Sequence, residues 1–295
     1  MSLPPAGTNQ AYCDVSALEA GLIRLPLAHF TTSAAPEDVS IAPSLAFLLQ
    51  NSTTRDKFVF DLGIRKDWEN LPPRTLEIIK ALCDVDIPQD VVQSLAKGGA
   101  SPSDISTVCL SHVHFDHTGD PSLFPESTFL VGDESRHLKS AVSSEDPDPV
   151  VVNHLLPPER TKYLSSLDWQ PLGPFPRALD YYGDGSLYIV DAAGHLPGHI
   201  NVFARTSADG AWIYLAGDSA HHWDLITGKG DIAVSKGVGF SRCAHQNKEA
   251  AEQHNLRIRK LLEIPRVRVL LAHDEPWYEV NRGGSAFWPG KIKSL

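Results

Sequence analysis

Ser111-His112-Val113-His114-Phe115-Asp116-His117 places three histidines and an aspartate in seven residues, directly behind the apolar run from Ile105 to Leu110. Imidazole nitrogens and carboxylate oxygens are the ligands that a borderline-soft divalent ion such as zinc selects, and a strand running into a loop aims alternate side chains at one point. His112 and His114, two apart in extended chain, face the same side and can share one metal. Asp116 and His117 come after the chain turns and can reach a second. The run is internal and follows a strand of buried character, which sets it apart from a solvated histidine-rich tract.

Further ligands are expected at other strand ends. Gly198-His199 follows the extended stretch from Leu187 to Asp191, Gly217-Asp218 follows the apolar run from Trp212 to Ala216, and His273 follows the run from Val267 to Ala272. In each case β-branched and aliphatic residues stop abruptly at a polar one, as they do where strands present a site on their rim. A single such histidine carries little weight. Three of these strand ends following the HxHxDH run carry much more.

The chain resembles the metallo-β-lactamase superfamily in His112-Val113-His114-Phe115-Asp116-His117, Gly198-His199, Ala216-Gly217-Asp218 and Ala272-His273, with Asp61-Leu62-Gly63 matching the early Asp-x-Gly. These elements stand in family order from about Leu45 to Asp274. The resemblance implies that His112, His114 and His199 bind a first ion, that Asp116, His117 and His273 bind a second, and that Asp218 bridges two zinc ions. No cysteine stands near Asp218, so the chain is more similar to the all-His/Asp dizinc hydrolases. That branch includes N-acyl homoserine lactonases, fungal lactam hydrolases and thioesterases.

The 295 residues are 42% hydrophobic, enough to fill a sizeable core, and one domain spanning 1–295 is expected. A net charge of -10 without a basic run argues against nucleic acid and anionic membrane as partners. The N-terminal stretch lacks a basic start followed by an apolar core, and Cys13, Cys83, Cys109 and Cys243 are scattered without a CxxC pair. A cytoplasmic enzyme with reduced thiols is the expectation. A homodimer is compatible with the sequence, which supplies no feature that requires one.

Strands are expected at Leu45 to Leu49 and Lys57 to Asp61, joined by a polar turn, and at Asp104 to Leu110 and Thr128 to Val131. Helices are expected at Arg74 to Cys83, around Asp133 to Lys139, and at Asn247 to Leu262, where Ala250, His254, Ile258 and Leu261 share a face. Sheets inside and helices outside fit the α/β fold that the resemblance implies, a four-layer αββα sandwich. The stretch from Ser140 to Pro176 is unusually rich in proline, which disfavours long helix or central strand. Lying between His117 and His199, it is expected to form a lid-like insertion, with Trp169 and Phe175 available to stack on a flat ligand.

The implied chemistry is attack by a metal-bridging hydroxide on a small cyclic ester or amide: a lactone, a lactam or an aryl-fused carbamate. Asp116 is the candidate proton shuttle to the leaving group. His221 and His222 follow Asp218 where homoserine lactonases carry a substrate-contacting tyrosine, so either is a candidate carbonyl donor. His195 reads as a loop residue beside the site. The rival enzyme class is an acyl thioesterase or glyoxalase II-like hydrolase, which needs a basic grip that the tail offers only in Arg282, Lys291 and Lys293. A non-catalytic or flavodiiron-type metal protein is the rival outside hydrolysis, and it calls for more carboxylate and a flavin domain.

Overall fold

The computed structural model describes residues 2–234 and 243–295. Two six-stranded sheets lie at its centre. The first runs Cys13–Leu18, Ala46–Asn51, Lys57–Phe60, Thr107–Cys109, Thr128–Gly132 and Thr161–Leu164 in spatial order. Its first two pairings are antiparallel and the rest parallel. The second runs Gln170–Leu172, Phe175–Asp180, Leu187–Asp191, Ile200–Arg205, Trp212–Leu215 and Val267–Leu270, antiparallel until its final, parallel pair.

Alternation along the strands shows how the layers form. Phe58 and Phe60 join Ile189, Ile213 and Leu215 in the core between the sheets. Val59 faces the other way and packs with Val91 and Leu95 of the helix Val91–Lys97. Val190 and Tyr214 likewise turn outward to meet Ile258 and Leu261 of the helix Lys248–Leu262. Helix, sheet, sheet, helix is the expected αββα order.

The expected strands and helices are present with shifted ends. Arg74 to Cys83 is a short α-helix, Pro73–Ile78, continued by a widened turn through Cys83. Asp133 to Lys139 is a 3-10 helix ending at His137. On the long helix, Ala251 rather than Ala250 is buried beside His254, Ile258 and Leu261.

The stretch from 140 to 176 is not one irregular lid. Thr161–Leu164 is the edge strand of the first sheet, and Gln170–Leu172 is the edge strand of the second. Pro171 is accommodated there because an edge strand tolerates a missing N–H. Phe175 is 1% exposed and stacks on Tyr214 at 4.7 Å, while Trp169 packs against the core between the sheets. Neither lines the cavity described below. The earlier part does approach the site: Phe115 N–H donates to Val150 O at 3.0 Å and Val152 N–H to Val113 O at 2.9 Å.

Candidate metal centre

Parallel pairing sets the site. Phe60 and Cys109 are partners in register, so Asp61 and Ser111 leave the first sheet side by side. Leu215 and Leu270 are partners in the second, so Asp218 and His273, each three residues further on, also emerge together. Gly217, at φ +47°, lets its turn lie against the histidine loop; a Cβ there would stand 2.9 Å from Ser111 Cβ and 3.0 Å from His199 Nε2.

The buried Asp218 carboxylate is the centre of the cluster. His221 Nε2 lies 3.1 Å from Asp218 Oδ2, His195 Nε2 3.6 Å and His112 Nε2 3.9 Å; His117 Nε2 and His273 Nε2 lie 3.3 and 3.4 Å from Oδ1. Asp116 Oδ2 completes the other side, 3.5 Å from His273 Nε2 and 3.8 Å from His117 Nε2. Among the described residues, the groups His112-His114-His195-Asp218 and Asp116-His117-His273 lie against this carboxylate, with donor atoms within 4.8 Å of one another in each.

Outer hydrogen bonds aim these rings. Asp61, whose carboxylate also accepts from Ser111 N–H (2.6 Å) and Oγ–H (2.8 Å), lies 3.0 Å from His117 Nδ1. His273 Nδ1 lies 2.8 Å from Pro43 O, and His112 Nδ1 3.0 Å from Ser111 Oγ. Each leaves Nε2 toward the centre, and such outer partners fix ring tautomer and orientation at metal sites. Burial would raise the Asp218 carboxyl, but His117, His273 and His221 outweigh it and hold it well below the usual range. Burial likewise opposes a charge on His117, yet Asp218, Asp116 and Asp61 hold it well above the ordinary imidazole value. His112 is held well below that value, first by burial and then by neighbouring histidines, so its ring is neutral with a lone pair to give. His112 Nε2, His117 Nε2 and Asp218 Oδ1 are buried without a hydrogen-bond partner. Buried polar atoms of this kind seldom go unmatched, and a nitrogen and oxygen set of this composition fits divalent cations.

The positions of two expected residues differ from the sequence reading. His199 is absent from both groups: its Nε2 accepts from Asp218 N–H at 3.1 Å and its Nδ1 lies 3.1 Å from Ala192 O, closing the loop before its strand. His195, read as a loop residue beside the site, takes the place next to His114, with Nε2 3.2 Å from His114 Nδ1. The sequence carries two Gly-His pairs, Gly194-His195 and Gly198-His199, and spacing alone does not separate them. His222 caps the short helix Trp223–Thr227, its Nδ1 accepting from Asp224 N–H at 3.2 Å, and does not line the cavity. His221 does line it, stacked on Phe30 at 4.4 Å. Another histidine, His245, lies against His195 and His221, and nothing in its sequence context signals this.

The cavity over the cluster measures about 1250 Å³. Ile23, Leu25, Phe30, Leu138 and Val150 supply apolar wall; Asp116, Asp218, His114, His195 and His273 supply the polar floor.

The metallo-β-lactamase superfamily model matches residues 41–233. The chain belongs to the metallo-β-lactamase superfamily. A gamma-lactamase, MBL2 of Gibberella moniliformis, is 40% identical over 56% of this superfamily member and 70% of its own length. The cytochrome P450 monooxygenase mpaDE' of Penicillium brevicompactum is 35% identical over 99% of the chain, which spans only 36% of that protein. Among solved structures, an N-acyl homoserine lactone hydrolase with N-hexanoyl-L-homoserine at its catalytic metal centre superposes with a TM-score of 0.69. It is 17% identical, the match covering 95% of this chain and 98% of that one, so the likeness is one of fold. Among the described residues, no helix is long and apolar enough to cross a membrane.

Proposed function

We propose that this superfamily member is a dinuclear zinc hydrolase that opens a small cyclic ester or amide, a lactone, lactam or aryl-fused carbamate. The observation that carries the reading is the Asp218 carboxylate ringed by histidine nitrogens at the floor of a mostly apolar cavity. His112, His114 and His195 would hold one ion, Asp116, His117 and His273 the other, with Asp218 between them. Bound there, the ions would supply Lewis acidity and a water made acidic near neutral pH.

The chain's own residues do the rest. The apolar wall offers packing surface to a poorly charged ring. His221 lies in the cavity, stacked on Phe30, and would donate from its ring to a substrate carbonyl. Asp116, also in the cavity, would carry a proton to the departing oxygen or nitrogen. The gamma-lactamase relative, and an N-acyl homoserine lactonase that is 29% identical over 60% of the chain, support cyclic amide and ester substrates. A thioesterase acting on an anionic carrier needs a basic grip, and among the described residues lining the cavity the lysines and arginines number one, Lys139, with Asp146 and Asp148 nearby.

The test is a hydrolysis screen of zinc-loaded protein against homoserine lactones, aryl-fused lactams and carbamates, and acyl thioesters. The cyclic substrates should exceed the thioesters in kcat/KM by at least about tenfold. Thioesters in the lead would overturn the assignment.

A further inference from the structure

Histidine is in surplus at this centre. After the two ligand groups are filled, ring nitrogens remain on one side of Asp218. His195 uses Nε2 toward His114 and Asp218, and its Nδ1 is buried without a partner. His221 uses Nε2 toward Asp218 Oδ2, and its Nδ1 is likewise buried and unpartnered. His245 is 2% exposed, and neither of its ring nitrogens has a partner. The three rings lie together: centroids are 5.0 Å apart for His195 and His221, 5.2 Å for His195 and His245, and 5.3 Å for His221 and His245. Each offers a ring nitrogen within 4.8 Å of those of the other two.

This arrangement is built by the backbone. Gln246 N–H donates to His195 O and Asn247 N–H to Gly194 O, both at 2.9 Å, so the segment before the long helix is tied to the histidine loop. Asn247 then caps that helix by accepting from Ala250 N–H at 3.1 Å. Gly194 permits the approach, since a Cβ there would stand 2.6 Å from Ala251 N. From the other side, Phe30 stacks on His221. The rings are thus held by three separate segments, and buried polar nitrogens held so seldom go unmatched.

We infer that His195, His221 and His245 form a third cation site beside the two proposed above. It shares His195 with that reading and would use the ring nitrogens left unpartnered there, Nδ1 of His195 and of His221 with either nitrogen of His245. A set made only of imidazoles suits a borderline or soft d-block ion, zinc or copper, and not magnesium or calcium, which take oxygen ligands. Binding through Nδ1 of His195 would release its remaining ring proton to solvent, because Nε2 is already directed at the first group. A cation on His221 Nδ1 leaves the ring proton of His221 on Nε2, the nitrogen beside Asp218 at the cavity. The third site would therefore fix His221 in the donor tautomer and hold its ring still.

The experiment is equilibrium dialysis of the full chain against buffered free Zn2+, followed by elemental analysis. The wild-type chain should saturate at three ions, and His245→Ala and His245→Asn at two. In a second measurement, Co2+ added to the two-zinc protein should give a visible absorption band characteristic of nitrogen ligands that both variants lack. Two ions at saturation in the wild-type chain, or three in both variants, overturns the third site. Fewer than two ions in the wild-type chain instead overturns the dinuclear reading, so the two failures are distinct.

Discussion

His195 Nε2 lies 3.2 Å from His114 Nδ1, while His199, one turn of loop later, has both ring nitrogens engaged by the backbone of Asp218 and Ala192. The two histidines sit in matching Gly-His pairs and do different work. His195→Ala should lose at least one ion and lower kcat/KM by a hundredfold or more, on the order of 3 kcal/mol. His199→Ala should keep the ion count and weaken affinity by roughly 10–100-fold, as loss of an outer partner does. Elemental analysis and competitive chelator titration check both; the reverse pattern would return His199 to the ligand set.

Asp116 contacts the cavity and both His117 and His273. Asp116→Asn keeps an oxygen ligand and removes the proton carrier. Lactams, whose nitrogen must be protonated to leave, should lose more activity than aryl esters by about 10–100-fold. Equal losses on both substrates would show that the residue acts only by holding an ion.

Phe30, not Trp169 or Phe175, supplies the aromatic wall beside His221. Phe30→Ala should raise KM for bicyclic aryl substrates by about 2–13-fold, from roughly 0.5–1.5 kcal/mol of stacking. Short-chain homoserine lactones should change little. Phe175→Ala should instead cost about 3–5 kcal/mol of stability without altering that ratio. Steady-state kinetics and chemical denaturation of the two variants separate the roles.

His254 lies under the Asp218 turn, near Asn201 and Tyr214, and burial first, then His199 and Arg257, lowers it from 6.5 to about 3. Its folded value is depressed, so the unfolded chain takes a proton that the folded chain refuses. Stability is full above about pH 6.5 and falls as the pH drops toward 3, by roughly 4–5 kcal/mol from this group. His254→Gln should flatten that part of the pH profile of thermal unfolding. An unchanged slope would assign the acid sensitivity elsewhere.

Metal binding at this centre is expected to demand deprotonated ligands. His117 and His273 are held above the ordinary imidazole value by Asp218 and Asp116, against burial, when they take a proton instead of an ion. Apparent zinc affinity should therefore weaken as the pH falls, with protons released on binding. Isothermal titration calorimetry in buffers of different ionisation enthalpy measures the released protons; no release would contradict the ligand assignment.

Strand ends that stop at His112, Asp218 and His273 were legible in the sequence because their chemistry is local: an apolar β-branched run, then a polar side chain at the rim. The αββα order was legible for a similar reason, since strands buried on both faces and a helix with one apolar face imply the layers that cover them. Tertiary structure decided what spacing leaves equal. Which Gly-His pair joins the Asp218 cluster depends on the Ala192 to His199 loop closing on itself, with His199 bonded to Ala192 O and the Asp218 N–H. The arrival of His245 depends on two hydrogen bonds to a loop some fifty residues away in sequence. Pro171 read as a breaker until pairing put its strand on an edge, where a missing N–H has no consequence. The sequence by itself determined the kinds of ligand and the layers; the fold alone determined which nitrogens meet, because contacts between distant segments are set by packing and not by local pattern.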